Sequence, residues 1–254
     1  MGKRKNSNPK KLGKMLEKGE SPEEILESDK NDYSVNQVVK KIKNPELKAK
    51  VAKKYLDQII KENDVRNVLL QLPEGVVLSI VDKNSDVLLK NSKLGFALQA
   101  IPDNKTKIDR LSKYTGSLMD LEVRDVMRSL LPEEDPNVAR DLERKKIQIL
   151  ANKMLENIKQ FGTTMHLREM LSCLDDASGK DLLTVTLRTF KAKESRSYIG
   201  KDTKLRIVRD FKLIYPDLDI NQYKKQGLLN AQEIDSVKDD IASVLYKKAN
   251  QKAK

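Results

Sequence analysis

The chain contains no tryptophan, one cysteine and one histidine, and its aromatic residues amount to 4% of 254. Each scarcity closes a class of function. The single thiol of Cys173 cannot form an internal disulfide, and lone-thiol usage fits a reducing compartment, so a cytoplasmic location is expected. One His and one Cys cannot furnish the ligand set of a zinc site. His166 and Cys173 are seven positions apart, two helical turns and about 10 Å along the axis, too far for a nucleophile and base to share a hydrogen bond. His166 therefore reads as an ordinary polar position and Cys173 as a small core residue. The chain has no glycine-rich phosphate loop. The paired acids Asp175 with Asp176 and Asp217 with Asp219 have the chemistry to hold magnesium, but loop acids beside helix ends more often cap the helix. The expectation is a non-catalytic protein with no metal and no cofactor.

Few aromatics also means few stacking platforms, which argues against the sheet-based folds that bind single strands. No run of residues approaches the ~20 apolar positions that span a bilayer, and the basic start Met1 to Lys14 leads into no hydrophobic signal core. No membrane partner is expected.

Positive charge is what the chain has in excess. Lys and Arg total 50 against 38 Asp and Glu, a formal +12 at pH 7. Such an excess draws a polyanion over a Debye length, although a basic surface also serves solubility alone. Nucleic acid, DNA rather than RNA, is the expected partner.

Apolar periodicity and cap residues predict an all-α fold: a helix-turn-helix-like segment followed by a multi-helix bundle, with two helical subdomains as its finer division. Residues 1–8 read as a flexible basic tail, 9–44 as the helix-turn-helix-like segment, 45–131 as a central helical region and 132–254 as a C-terminal helical domain. Pro132, Glu133, Glu134, Asp135 and Pro136 form the breakpoint. Ser21 with Pro22, and Asn44 with Pro45, mark helix starts. From Asn44 one long helix is expected, its stripe of Leu47, Val51, Tyr55 and Ile59 running on through Val68 to Leu72. The clumped apolar residues of 76–101 read as short buried helices, with Val76, Val77, Ile80 and Val81 leaving a strand as the alternative. Ile147, Leu150, Met154, Ile158 and Phe161 line one face of a helix that starts at Asp135 and Pro136. Ile234, Val237, Ile241 and Val244 line another, capped by Asn230 and Glu233. A three-and-four stripe of this kind usually packs within its own domain; self-assembly into a homo-oligomer is its less common use.

Two basic stretches are candidate sites. In the first, Gly19 to Ile42 run turn, short helix, turn, helix. Ile25 and Leu26, with Val35, Val38, Val39 and Ile42, would face inward, leaving Ser34, Asn36, Gln37, Lys40 and Lys41 outward. Asn and Gln suit an adenine edge, Ser donates or accepts, and lysines reach phosphates. Ser28 and Lys30 stand where the motif usually has an apolar residue and a glycine-type turn, and a plain helical hairpin with a polar face is the competing reading. In the second stretch, Arg188, Lys191, Lys193, Arg196, Lys201, Lys204, Arg206, Arg209 and Lys212 face only three acids in sequence. Arg196 and Tyr198 lie in a loop with Ser195, Ser197 and Gly200, a mixture able to grip phosphate. Charge runs are more often solvated helix faces.

From Tyr33 to Val51 the sequence YSVNQVVKKIKNPELKAKV resembles small terminase subunits of tailed bacteriophages and related phage helix-turn-helix proteins, a likeness that covers roughly Lys10 to Leu72. It implies recognition of packaging-site DNA by Ser34, Asn36, Gln37, Lys40 and Lys41, ring assembly, a packaging ATPase as protein partner, and a bacterial or virus-infected cell as the setting. The alternatives are an RNA-coating, nucleocapsid-type helical protein and a structural or adaptor protein.

Overall fold

The computed structural model describes residues 9–28, 33–156, 167–168, 171–193 and 201–252, and every regular element among them is helical. The chain divides into two compact units, Met1–Leu131 and Pro132–Lys254.

In the first unit α1 (Pro9–Glu17), α2 (Pro22–Glu27) and α3 (Val35–Lys41) are short, and their ends follow from side-chain chemistry. Ser21 Oγ accepts from Glu24 N at 3.1 Å while Glu24 returns a carboxylate to Ser21 N at 2.9 Å, a reciprocal cap that satisfies two orphan donors. Gly19, at φ +87°, ends α1: Glu20 N reaches Met15 O and Gly19 N reaches Leu16 O, which needs a left-handed residue at that position.

The single long helix expected from Asn44 to Leu72 is three helices: α4 (Pro45–Lys54), α5 (Leu56–Lys61) and α6 (Val65–Leu69). Tyr55 leaves helical geometry at φ −105°, ψ 26°, and Asn63 stops α5 in the left-handed region at φ +59°. Asp64 N then bonds Ile59 O and Asn63 N bonds Ile60 O, the same stop that Gly19 makes. The apolar stripe survives because Val51, Ile59, Val68 and Leu69 are all buried on their respective helices.

Residues 74–99 form α7 (Glu74–Lys90) and α8 (Leu94–Gln99). The expected short pieces are partly fused, with α7 kinked at Asn84, whose Nδ2 donates to Ile80 O at 3.0 Å. A side chain inserted into the ladder is a sufficient cause for the bend. Here α8 packs on α7, on α6 and on α10 (Asp120–Arg128). Gly95 makes the last approach feasible, since a Cβ there would lie 2.9 Å from Glu122 Cβ.

The start of α9 (Asn104–Tyr114) holds the end of the unit. Asn104 donates to Leu131 O at 2.8 Å and accepts from Leu131 N at 2.9 Å. Lys107, 3% exposed, donates to Ser129 O and Oγ at 2.9 and 3.3 Å, where the C-terminus of α10 favours a cation.

The second unit contains α11 (Pro136–Glu156), α12 (Asp176–Lys193), α13 (Lys201–Ile214), α14 (Gln222–Lys225) and α15 (Ala231–Lys252). Packing is α11 on α12, α12 on α13 and α13 on α15. Ile147 and Leu150 are buried as the stripe on α11 requires; Ile158 and Phe161 of that stripe lie outside the described residues. Cys173 is half-buried, at the edge of the core and not within it, and His166 lies outside the described residues. Asn230 and Glu233 form the reciprocal cap of α15, with bonds of 2.8 and 2.9 Å.

Candidate nucleic-acid interface

Val35, Val38 and Val39 are fully buried and Ile42 is 5% exposed, so α3 turns an apolar face inward as its spacing dictates. It packs on α1, α2, α4, α5 and α6, which makes this seven-residue helix a hub of the unit. Glu27 and Val35 are separated by a seven-residue interval, longer than the three- or four-residue turn of a helix-turn-helix.

Three of the five residues assigned to base reading have their oxygens engaged inside the fold. Ser34 Oγ accepts from Gln37 N at 3.2 Å, and Gln37 Oε1 accepts from Ser34 N at 3.0 Å. Asn36 Oδ1 accepts from Gln71 Nε2 at 2.8 Å, tying α3 to the end of α6. The helix N-terminus, which a recognition helix presents to the groove, receives Glu62: Val35 N donates to Glu62 Oε2 at 3.1 Å, and Gln58 holds the other carboxylate oxygen at 2.8 Å. An acid sealing that end repels a phosphate chain from it. The oxygens of Ser34, Asn36 and Gln37 thus act as acceptors within the fold, and the signal for the cap at Ser34 and Gln37 is their three-residue spacing.

Lys40 and Lys41 differ. Both are exposed, as is Lys43 just beyond the helix, and among the described residues none of the three is in an ion pair or side-chain hydrogen bond. They stand at the C-terminal end of α3, where the helix dipole favours positive charge. On α1, which packs on α3, Lys11 and Lys14 are likewise exposed and unpaired among the described residues. No motif in the sequence singles out these two cations; they flank the buried Leu12, a spacing that places them on the outer face. Nearby lysines on α4 are less available: Lys50 pairs with Glu23 at 3.6 Å and Lys54 with Glu27 at 3.0 Å. Tyr55 also donates to Glu27 at 2.6 Å, and that hydrogen bond, followed by Lys54, lowers the Glu27 pKa.

Of the second basic stretch, three described cations are engaged within the fold. Lys204 is 8% exposed and pairs with Glu233 at 3.1 Å, joining α13 to α15 inside the unit. Arg209 is half-buried and binds Asp210 at 2.9 Å and Asp240 at 3.4 Å. Lys212 donates to the carbonyls of Pro216 and Leu218. These side chains fasten helices, which is a different task from gripping phosphate. Arg206 is half-buried. Arg188 and Lys191 are exposed on α12 and reach Gln226 Oε1 at 3.5 Å and Gly227 O at 3.1 Å. Arg196 and Tyr198 lie outside the described residues, and Lys193 and Lys201 are described as helix backbone only.

Asp175, Asp217 and Asp219 act as caps and ion-pair partners. Asp175 Oδ1 accepts from Ser178 N at 2.7 Å, Asp219 Oδ1 from Asn221 N at 2.9 Å, and Asp217 pairs with Lys180. No group of three or more His, Cys, Asp or Glu suited to a metal occurs among the described residues. No helix among them is long and apolar enough to cross a membrane. No family model, curated protein or solved structure matches this chain.

Proposed function

We propose that this is a non-catalytic nucleic-acid-binding protein that holds the phosphate backbone of duplex DNA through lysines at the C-terminal end of α3. The observation that carries the reading is the set Lys40, Lys41 and Lys43, exposed and without a carboxylate partner among the described residues, in a chain of net charge +12. Phosphate contacts of this kind give affinity and register without reading sequence. With the oxygens of Ser34, Asn36 and Gln37 engaged in the fold, the binding is expected to be weakly sequence-dependent. The packaging role implied by the terminase resemblance adds a ring and an ATPase partner to this activity; solution mass tests the ring.

Duplex binding measured by fluorescence anisotropy across a salt series tests the reading. Lys40→Ala with Lys41→Ala should weaken binding to every duplex alike and reduce the slope of log affinity against log salt by about one for each phosphate left unneutralised. The same affinity and slope in the variant would remove α3 from the interface. Single-stranded RNA displacing duplex of equal length would favour the RNA-coating alternative.

A further inference from the structure

We infer that α2 is an autoinhibitory strap: Glu23 and Glu27 occupy Lys50 and Lys54 of α4 and so keep duplex affinity below what the basic surface would otherwise give. The inference rests on the nucleic-acid reading of the α3 lysines and names the regulation of that surface.

Glu23 and Glu27 stand four residues apart on α2, as Lys50 and Lys54 do on α4, so each pair lies on one face of its helix. The pairs meet rung for rung, with Lys50 Nζ 3.6 Å from Glu23 Oε1 and Lys54 Nζ 3.0 Å from Glu27 Oε1. Tyr55 Oη donates to the same Glu27 oxygen at 2.6 Å and holds that carboxylate in place. α4 starts two residues past Lys43 and packs on α3, so the covered lysines belong to the helix that follows the free ones.

The ladder is not needed to seat the strap. Ile25 is 1% exposed, Pro22 is buried, and Ser21 and Glu24 close the helix start between themselves. The first rung is too long for a hydrogen bond, and the side chains of Lys50 and Lys54 stay 72% and 48% exposed, open to a phosphate from outside. Exposed ion pairs of this kind are weak, so a polyanion can take the lysines over. Until it does, the carboxylates offset the lysine charge and repel an approaching phosphate. Lys40, Lys41 and Lys43 face no such acid among the described residues.

Duplex binding by the full chain across a salt series tests the strap. Glu23→Gln with Glu27→Gln should tighten binding about tenfold at low salt and steepen the slope of log affinity against log salt by about two, one for each released lysine. Lys50→Ala with Lys54→Ala should change the wild-type affinity by less than about threefold, and in the glutamine background should abolish both the gain and the added slope. Far-UV spectra check that helicity is kept; should the double glutamine change reduce it, Glu27→Gln paired with Lys54→Ala carries the same cycle at the more exposed acid. A gain that persists without Lys50 and Lys54 is a general effect of lost negative charge and overturns the strap, as does the absence of any gain. Weaker binding by Lys40→Ala with Lys41→Ala beside either result leaves the α3 reading standing. No duplex binding by the wild type or by the glutamine variant overturns both.

Discussion

Lys107 is the residue most at odds with its surroundings. It is 3% exposed, no carboxylate pairs with it among the described residues, and its ammonium is held only by the carbonyl and hydroxyl of Ser129. Burial lowers its pKa and the charge of Arg66 lowers it further, with Asp103 opposing. Between that lowered value and the ordinary lysine value, the unfolded chain holds a proton that the folded chain has released. The contribution of this group to stability therefore rises with pH across the window and is least favourable below it. Lys107→Met should remove this alkaline rise and, by relieving a buried charge, should leave stability at neutral pH unchanged or higher. Urea midpoints of both proteins between pH 8 and 11 check the outcome; parallel curves would show that the lysine keeps its proton in the fold.

At the scale of the element, α3 is the telling case, because its seven residues are too few to be stable alone. Its cap and its neighbours hold it, so Ser34→Ala should cost about 1 kcal/mol of stability. While the protein remains folded, the same substitution should leave duplex affinity and sequence preference unchanged, as measured by melting and anisotropy on one preparation. A loss of preference for particular base pairs would return Ser34 to the reading role that the sequence suggested. The cap at Asn230 and Glu233 is legible because its partners lie three residues apart in the chain, whereas the same spacing at Ser34 and Gln37 reads equally as an outward polar face. Glu62 could not be assigned to the start of α3, since 27 residues separate it from Val35 and only the fold brings them together. Asn63 shows the other limit: the apolar period runs through it undisturbed, and a left-handed residue that reverses the chain leaves no mark on that period. Lys204 illustrates the same limit at the second site. It sits on a charge run that reads as solvated, and its burial becomes evident only once α15 supplies Glu233.

Two units in one chain imply two cooperative cores, each with its own apolar interior and its own buried polar fastening. Asn104 closes the end of the first by a two-way bond to Leu131, and the Lys204–Glu233 pair, with side chains 11% and 7% exposed, joins α13 to α15 in the second. Calorimetry should accordingly resolve two transitions that respond to different substitutions. Asn104→Ala leaves the Leu131 backbone groups without their partner, at about 1–3 kcal/mol, and should lower one transition by several degrees. Lys204→Ala strands a buried carboxylate, at about 3–5 kcal/mol, and should lower the other. If both substitutions move a single transition by proportionate amounts, the two units unfold as one body, and the charge of the whole chain then acts from one frame. Independent shifts would mean that the lysines of α3 are carried on a unit that keeps its structure when the second is destabilised, so that Lys204→Ala should leave duplex affinity unchanged below its own transition.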